Sequence, residues 1–442
     1  MTLTAFRPHP ARFAAALRAA APERVGIVTA VLGLSVDVAG LHCAVGDLVT
    51  IGDEKRVDAE VVATTADGVR CMPLGRLDGI YAGCAVRSHG QPVLVPTGSG
   101  LFGRVLDGLG RPIDGLGPLD VDRFVSLGNE SPSVMLRRRI DTPVQLGVRV
   151  LDTLTTVGRG QRMGLFAGSG VGKSSLLSMI ARGTDAEVSV IALVGERGRE
   201  VREFLEDDLG AEGLARSVVV VATSDEPALM RLRAAFVATR IAESFRERGA
   251  DVMLMMDSVT RVAMAQREIG LSVGEPPATR GYPPSTFSVL AQLLERAGTG
   301  ENGSITGIYT VLVEGDDHNE PIADAARSIL DGHVVLDRAL AIIGHYPAVD
   351  ALGSISRVAS KVIAPEQSRL AEALRTVMAA RKNAQDLIDI GAYRPGTNPL
   401  VDAALTHQDA IEAFLRQSMN DYTPAEEAWR HLAGLVAKLG GA

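Results

Sequence analysis

Between Val25 and Val95 apolar residues fall in short runs broken by glycine or aspartate: Val25–Leu32, Leu48–Ile51, Val57–Val62 and Val69–Met72. Runs this short, rich in valine and separated by turn residues, predict the strands of a small barrel. From about Pro143 to Ile363 the pattern differs. Unbroken apolar runs (Ser189–Val194, Ser217–Ala222, Asp251–Met256, Thr306–Leu312) alternate with helical stretches such as Pro227–Arg248. A strand apolar at every position has no face for solvent, so it belongs in a parallel sheet covered by helices on both sides. Past Pro365 the period is helical almost to the end, starting with Ser368–Ile390 and interrupted by the turn-rich Tyr393–Pro399. The pattern thus predicts a multidomain chain: a terminal segment (1–22), an N-terminal β-barrel (23–95), a central α/β unit with a mostly parallel sheet (96–364) and a C-terminal α-helical domain (365–442).

Composition narrows the function. Tyr81 is the only aromatic residue of the barrel stretch, which leaves no stacking surface for single-stranded nucleic acid and favours structural capping. A net charge of −8, from 45 basic and 53 acidic residues, also argues against a surface that grips nucleic acid throughout. Cys43, Cys71 and Cys84 have neither metal spacing nor a CxxC pairing and read as buried or free thiols in a reducing compartment. No apolar run approaches the ~20 residues that span a bilayer. Residues 1–22 carry Arg7, Arg12 and Arg18 but no acid, and Phe6, Phe13, Ala14 and Leu17 can share one helical face. That segment reads either as a frayed terminus or as an amphipathic docking element. Leu101–Gly115 reads as a connector, and Arg137-Arg138-Arg139 as a solvated or intersubunit surface.

The chemistry centres on Ala167-Gly168-Ser169-Gly170-Val171-Gly172-Lys173-Ser174. Glycines at 168, 170 and 172 let backbone N–H groups curl around an anion without Cβ interference. Lys173 supplies a compact positive charge for the outer phosphates, and the Ser174 hydroxyl can ligate Mg2+. The apolar run before the loop reads as a strand. Ser175–Arg182 reads as a helix whose N-terminus faces the phosphates. Ala167 departs from the usual glycine at the first position; the flanking strand and helix still favour a phosphate loop over a flexible turn.

Hydrolysis needs more than a phosphate loop: a metal holder, a water activator and a counter-charge. Asp257 ends the apolar run Val252–Met256, at a strand's C-terminal edge, where a carboxylate can hold Mg2+. Glu196 follows the Ser189–Val194 strand and can orient the attacking water from the same sheet edge. The alternating Arg and Glu of Gly195–Glu200 also fit a salt-bridged surface turn.

The phosphate loop, Gly195–Val201, Asp257-Ser-Val-Thr-Arg261, Gly274–Ser285, Val313-Glu-Gly-Asp-Asp317, Ile329–His333 and His345–Asp350 occur in one order. Together they resemble the type III secretion ATPases, relatives of the catalytic subunit of the rotary ATP synthase, over roughly residues 25–415. The resemblance implies a RecA-like core that takes ATP and Mg2+, and tolerates alanine at 167. It implies binding through Gly168, Ser169, Gly170, Val171, Gly172, Lys173, Ser174 and Ser175, with Tyr346 packing on the adenine and Ser174 and Asp257 holding the metal. Glu196, Lys173 and Arg197 are the implied catalytic residues of one subunit. The resemblance also implies that Arg357 is an arginine finger supplied to the next subunit of a six-membered ring, a task suited to a charge that is permanent and spread over several donors. Because one chain holds Lys173, Glu196 and Arg357, a homohexamer needs no non-catalytic partner.

Within that family, the acid-free N-terminus and Asp389–Pro399 resemble the flagellar export form more than the injectisome form. The implied partners are a stator or regulator protein at the N-terminus, a stalk protein in the ring, an export gate and chaperone–substrate complexes. Peripheral association with the inner membrane from the cytoplasm is also implied, and no nucleic acid. Two readings of other classes compete: a ring-shaped RNA translocase, disfavoured by the acidic charge and sparse barrel aromatics, and a non-hydrolysing structural subunit, which needs neither Glu196 nor Arg357.

Overall fold

A computed structural model of the chain describes residues 24–313 and 320–440. The terminal segment 1–22 and the motif residues Glu314–Asp317 lie outside them. The described chain forms two compact units that divide between Val93 and Leu94.

The first unit is a closed antiparallel barrel of six strands: β1 (Val25–Leu32), β2 (Ser35–Ala39), β3 (Asp47–Ile51), β4 (Val57–Thr64), β5 (Gly68–Pro73) and β6 (Ala85–Pro92), in the order β1-β2-β5-β4-β3-β6. Alternate residues such as Val28, Val38, Val49, Val61, Val69 and Val86 point inward and bury one core. Closure leaves no strand edge unpaired. At Gly68 the β2 backbone comes so close that a Cβ would lie 2.0 Å from the Val38 carbonyl oxygen. Two of the six strands escape the hydrophobic pattern. β2 is only five residues long and carries Asp37, whose carboxylate accepts a two-pronged bond from Arg70 (2.7 and 3.1 Å). β6 is polar and mostly exposed after Val86. The three cysteines are free, and burial pushes the Cys71 thiol up to about 12.

In the second unit β7 (Leu94–Thr97) and β9 (Arg123–Ser126) form a two-stranded ribbon. The main sheet is built from β8 (Val105–Leu106), β10 (Arg162–Ala167), β11 (Val188–Glu196), β12 (Ser217–Thr223), β13 (Asp251–Asp257), β15 (Ser304–Leu312), β16 (Gly332–Leu336) and β17 (Ile355–Ser356). Their order is β17-β16-β10-β15-β13-β11-β12-β8, parallel at every step except the β16–β17 edge. The short β14 (Gly298–Thr299) adds antiparallel to β15. The helix Ala228–Arg246 lies on β11, β12 and β13 and is almost wholly buried. The phosphate-loop helix Lys173–Gly183 packs Leu176, Leu177 and Ile180 into the core with Met163 and Leu165 of β10.

Two expectations change here. The stretch read as a connector contributes the edge strand β8. It is held by Asp114, which accepts bonds from Arg104 Nε (2.7 Å) and Nη2 (3.0 Å) and from the backbone N–H groups of Val105 and Leu116. Nor is Arg137 solvated: its guanidinium donates to the carbonyls of Pro132, Glu295 and Ala297, capping the end of helix Pro284–Glu295.

The C-terminal helices Pro365–Asn383, Pro399–Thr406, Gln408–Leu415 and Ala425–Lys438 send Leu374, Val377, Ile411, Phe414 and Leu432 into the core that holds Leu146, Leu151 and Leu165. Pro365 starts the first of them earlier than periodicity indicates, because its fixed φ suits a first helical position. That helix stops at Asn383 and a separate turn covers Gln385–Asp389.

Candidate nucleotide site

The loop between β10 and helix Lys173–Gly183 sits at the C-terminal edge of the parallel sheet. Ala167 is the last residue of β10, paired with Leu312 in regular strand geometry and 1% exposed, so its methyl group replaces a glycine hydrogen without strain. The left-handed backbone falls at Gly170 (φ 76°) and Gly172 (φ 88°), where a side chain would be strained. Gly168 is buried, Ser169 and Gly170 are exposed, and Val171 is 1% exposed and anchors the loop. Ser174 and Ser175 occupy the first turn of the helix, with Ser174 facing solvent. The helix N-terminus, with its unpaired N–H groups, therefore opens onto the loop.

Parallel pairing places the ends of β11 and β13 beside this loop. Lys173 Nζ donates to Asp257 Oδ1 at 2.6 Å and to Glu196 Oε1 at 3.3 Å. Thr310 of β15, which sequence reasoning passed over, donates its hydroxyl to the same Asp257 oxygen at 2.7 Å. Burial works against the Lys173 charge, but the carboxylates of Asp257 and Glu196 outweigh it and raise its affinity for a proton. Glu196 moves upward too. Burial is the largest cause, opposed by Lys173 and reinforced by the Asp257 charge and a hydrogen bond to the Glu200 carboxylate. Glu200 takes the opposite course: although burial raises it, the bond from Glu196 and the charge of Arg197 bring it down. Glu196 therefore holds a proton more readily than an exposed glutamate, at the same sheet edge as Lys173.

Arg261 is a second residue the sequence did not single out as a site group. Its side chain lies across Gly195, where a Cβ would meet Arg261 Cβ at 2.8 Å, and its buried Nε has no hydrogen-bond partner. The left-handed glycines 170 and 172, the open helix N-terminus and the Lys173 ammonium fit a polyphosphate. They also fit Mg2+: Ser174 offers a hydroxyl in the first turn of the helix and Asp257 a carboxylate bonded to Lys173. That sparse set suits an ion that keeps its waters and takes phosphate oxygens.

Two predicted residues stand elsewhere. Arg197 points away: its side chain is 80% exposed and pairs with Glu200 at 3.0 Å. Arg357 follows β17, which pairs antiparallel with the start of β16. Its N–H donates to the carbonyl of Asp331, the residue whose carboxylate holds Arg162 at the start of β10. The phosphate loop lies past the other end of β10, five residues or about 17 Å away. Arg357 is exposed there, and its Nη2 donates only to the Arg327 carbonyl at 3.4 Å. It does not reach the loop of its own chain. Tyr346 does: its ring lies against Gly172, where a Cβ would meet Cε1 at 3.2 Å, and it keeps 45% of its surface exposed.

The model of the ATP synthase alpha/beta family, nucleotide-binding domain, matches residues 147–356, and that of the T3SS EscN ATPase C-terminal domain matches residues 363–434. A flagellum-specific ATP synthase of Bacillus subtilis is 51% identical over 94% of this chain and 95% of its own length. A type 3 secretion system ATPase of Xanthomonas euvesicatoria is 48% identical over 94% of each. The solved structure of the assembled ATPase EscN in complex with its central stalk EscO, from the enteropathogenic E. coli type III secretion system, superposes with a TM-score of 0.87. It is 44% identical and covers 93% of this chain and 100% of that one.

Proposed function

The chain is an ATPase of the family that holds the flagellum-specific ATP synthases and the type 3 secretion system ATPases, and we propose that it hydrolyses Mg-ATP in a ring of identical subunits to drive flagellar protein export. The observation that carries the hydrolytic reading is the convergence of Lys173, Glu196 and Asp257 at one sheet edge, within 2.6 and 3.3 Å of one another through the lysine.

The parts divide the work. Gly168–Ser175 wrap the phosphates with backbone N–H groups, and Lys173 exchanges its bond to Asp257 for one to the outer phosphates. Ser174 and Asp257 would hold Mg2+, which would supply counter-charge to the phosphates. Thr310 orients Asp257 for that task. Tyr346 offers its open face to the adenine. Glu196, ionised, accepts a proton from the attacking water and aims it at the γ-phosphorus. Arg197 lies outside this arrangement and serves Glu200.

Arg357, stranded at the far end of the sheet from its own loop, completes the site of a neighbouring copy. This supports a homohexamer with six equivalent sites, as does the relative whose structure is that of an assembled ATPase with a central stalk. The same relative supports a stalk protein in the ring here. For the destination, the relative at 51% identity is flagellum-specific, and the acid-free N-terminal segment fits a flagellar stator or regulator. Export gate and chaperone–substrate complexes are the remaining partners, met at the cytoplasmic face of the inner membrane. No helix of the described residues is long and apolar enough to cross that membrane. The 48% relative keeps the injectisome as the second reading.

Two measurements test this. Glu196→Gln should keep nucleotide affinity and lose turnover by on the order of 10²- to 10⁴-fold; normal hydrolysis by that variant defeats the assigned role. Pull-down from the native cell should recover flagellar export components, and recovery of injectisome components instead reassigns the destination.

A further inference from the structure

The C-terminal helices reach the nucleotide site at Gln417. Gln417, just past helix Gln408–Leu415, is 4% exposed. Its backbone N–H donates to the carbonyl of Tyr346 at 3.0 Å. Its side-chain amide donates to Gly147 O (2.8 Å) and Asp421 O (2.9 Å), and its Oε1 accepts the backbone N–H of Arg149 at 2.9 Å. Both amide hydrogens are spent, so the side chain has one orientation.

The partners are fastened in turn. Arg149 donates to the carbonyls of Ala413, Phe414 and Arg416 and to the Thr423 hydroxyl. Arg182, in the last turn of the phosphate-loop helix, donates to Met419 O at 2.7 Å. His345, beside Tyr346 and 4% exposed, faces Glu412 at 3.7 Å. The strap 416–423 thus ties the phosphate-loop helix, the Gly147–Arg149 turn and the Tyr346 carbonyl together. The Tyr346 ring is half-exposed and lies against Gly172.

We propose that Gln417 is a positioning residue: by pinning the Tyr346 carbonyl to the Gly147–Arg149 turn it sets the spacing of the Tyr346 ring from Gly172, so the C-terminal region governs affinity for the nucleotide base. This rests on the reading of Tyr346 as the adenine wall. A residue acting only on the fold would alter thermal stability while leaving base recognition alone.

The test compares Gln417→Met, of similar volume without the amide, with Tyr346→Ala and the double variant, in the full-length protein. KM and kcat for ATP are measured beside the thermal midpoint and inhibition by inorganic tripolyphosphate, which has phosphates but no base. Gln417→Met should raise KM for ATP several-fold with kcat little changed and tripolyphosphate inhibition unmoved. The double variant should be no worse in KM than Tyr346→Ala, because both act through one contact. An unchanged KM, additive effects, or tripolyphosphate inhibition weakening in step with ATP overturns the proposal. If Tyr346→Ala itself leaves KM unchanged, it is the adenine-wall reading that fails. If Gln417→Met does not fold, Gln417→Asn, which keeps both donors on a shorter stem, is read by the same criteria.

Discussion

At the residue scale the site is a contest for one lysine. Lys173 is held by two carboxylates, at 2.6 Å from Asp257 and 3.3 Å from Glu196, in a setting where burial works against its charge. Phosphates compete for the same ammonium, so Lys173→Ala should weaken nucleotide binding sharply, measured by titration with a fluorescent nucleotide analogue. It also leaves Asp257 and Glu196 facing each other without a cation. Glu196 carries a pH prediction. Burial, the Asp257 charge and the bond to Glu200 together raise it above an ordinary glutamate despite Lys173. Only the ionised form accepts a proton, so kcat/KM should rise with pH and fall on acidification at a pH above that of an exposed glutamate, about 4.3. Glu200→Gln removes one cause of the upward shift, and the acid limb should then move to lower pH. A limb unmoved by Glu200→Gln assigns it to another group.

At the element scale the edge of the sheet depends on a polar lock. Asp114 is held below the usual carboxylate range first by its bond from Arg104, against the opposing effect of burial, with help from the N–H groups of Leu116 and Val105. A carboxylate depressed in the folded state contributes stability above its unfolded value and loses it as pH falls through the folded one. That contribution is therefore complete at neutral pH and lost only in strong acid. Asp114→Asn should cost about 3 kcal/mol in denaturant unfolding at pH 7, the penalty of leaving a largely buried arginine without its carboxylate, and the gap to wild type should close in strong acid. Elements of this kind are hard to read from a sequence. Leu101–Gly115 has the glycine, aspartate and proline of a connector, and β8 takes only two residues from it. Arg137 looks like one third of a basic patch until the carbonyls of Glu295 and Ala297 arrive from 158 and 160 positions away. Long unbroken apolar runs such as Ser217–Ala222 were legible because their burial is a property of the run itself.

At the scale of the whole molecule the question is which chain completes which site. Arg357 and Lys173 belong to one polypeptide but lie toward opposite ends of β10 and β16. Mixing Arg357→Ala subunits with Lys173→Ala subunits should therefore restore part of the activity each lacks. Some interfaces then pair an intact Lys173 with an intact Arg357. No recovery in mixed assemblies counts against a finger supplied from a neighbour.

What the amino-acid sequence determined by itself is local or periodic: the strand–loop–helix of the phosphate site, whose glycines and lysine are contiguous, the barrel strands with a clean inward face, the parallel core, and Glu196 and Asp257 at the ends of apolar strands. Tertiary structure decided what depends on distant segments meeting. Thr310 joins Asp257 because β15 pairs with β13, Gln417 joins Tyr346 because the C-terminal helices pack into the same core, and Arg197 is lost to Glu200 because it stands just past the strand with its side chain in solvent. A hydrogen bond spans about 3 Å wherever its partners sit along the chain, and composition and spacing carry no record of which two ends the fold will bring together.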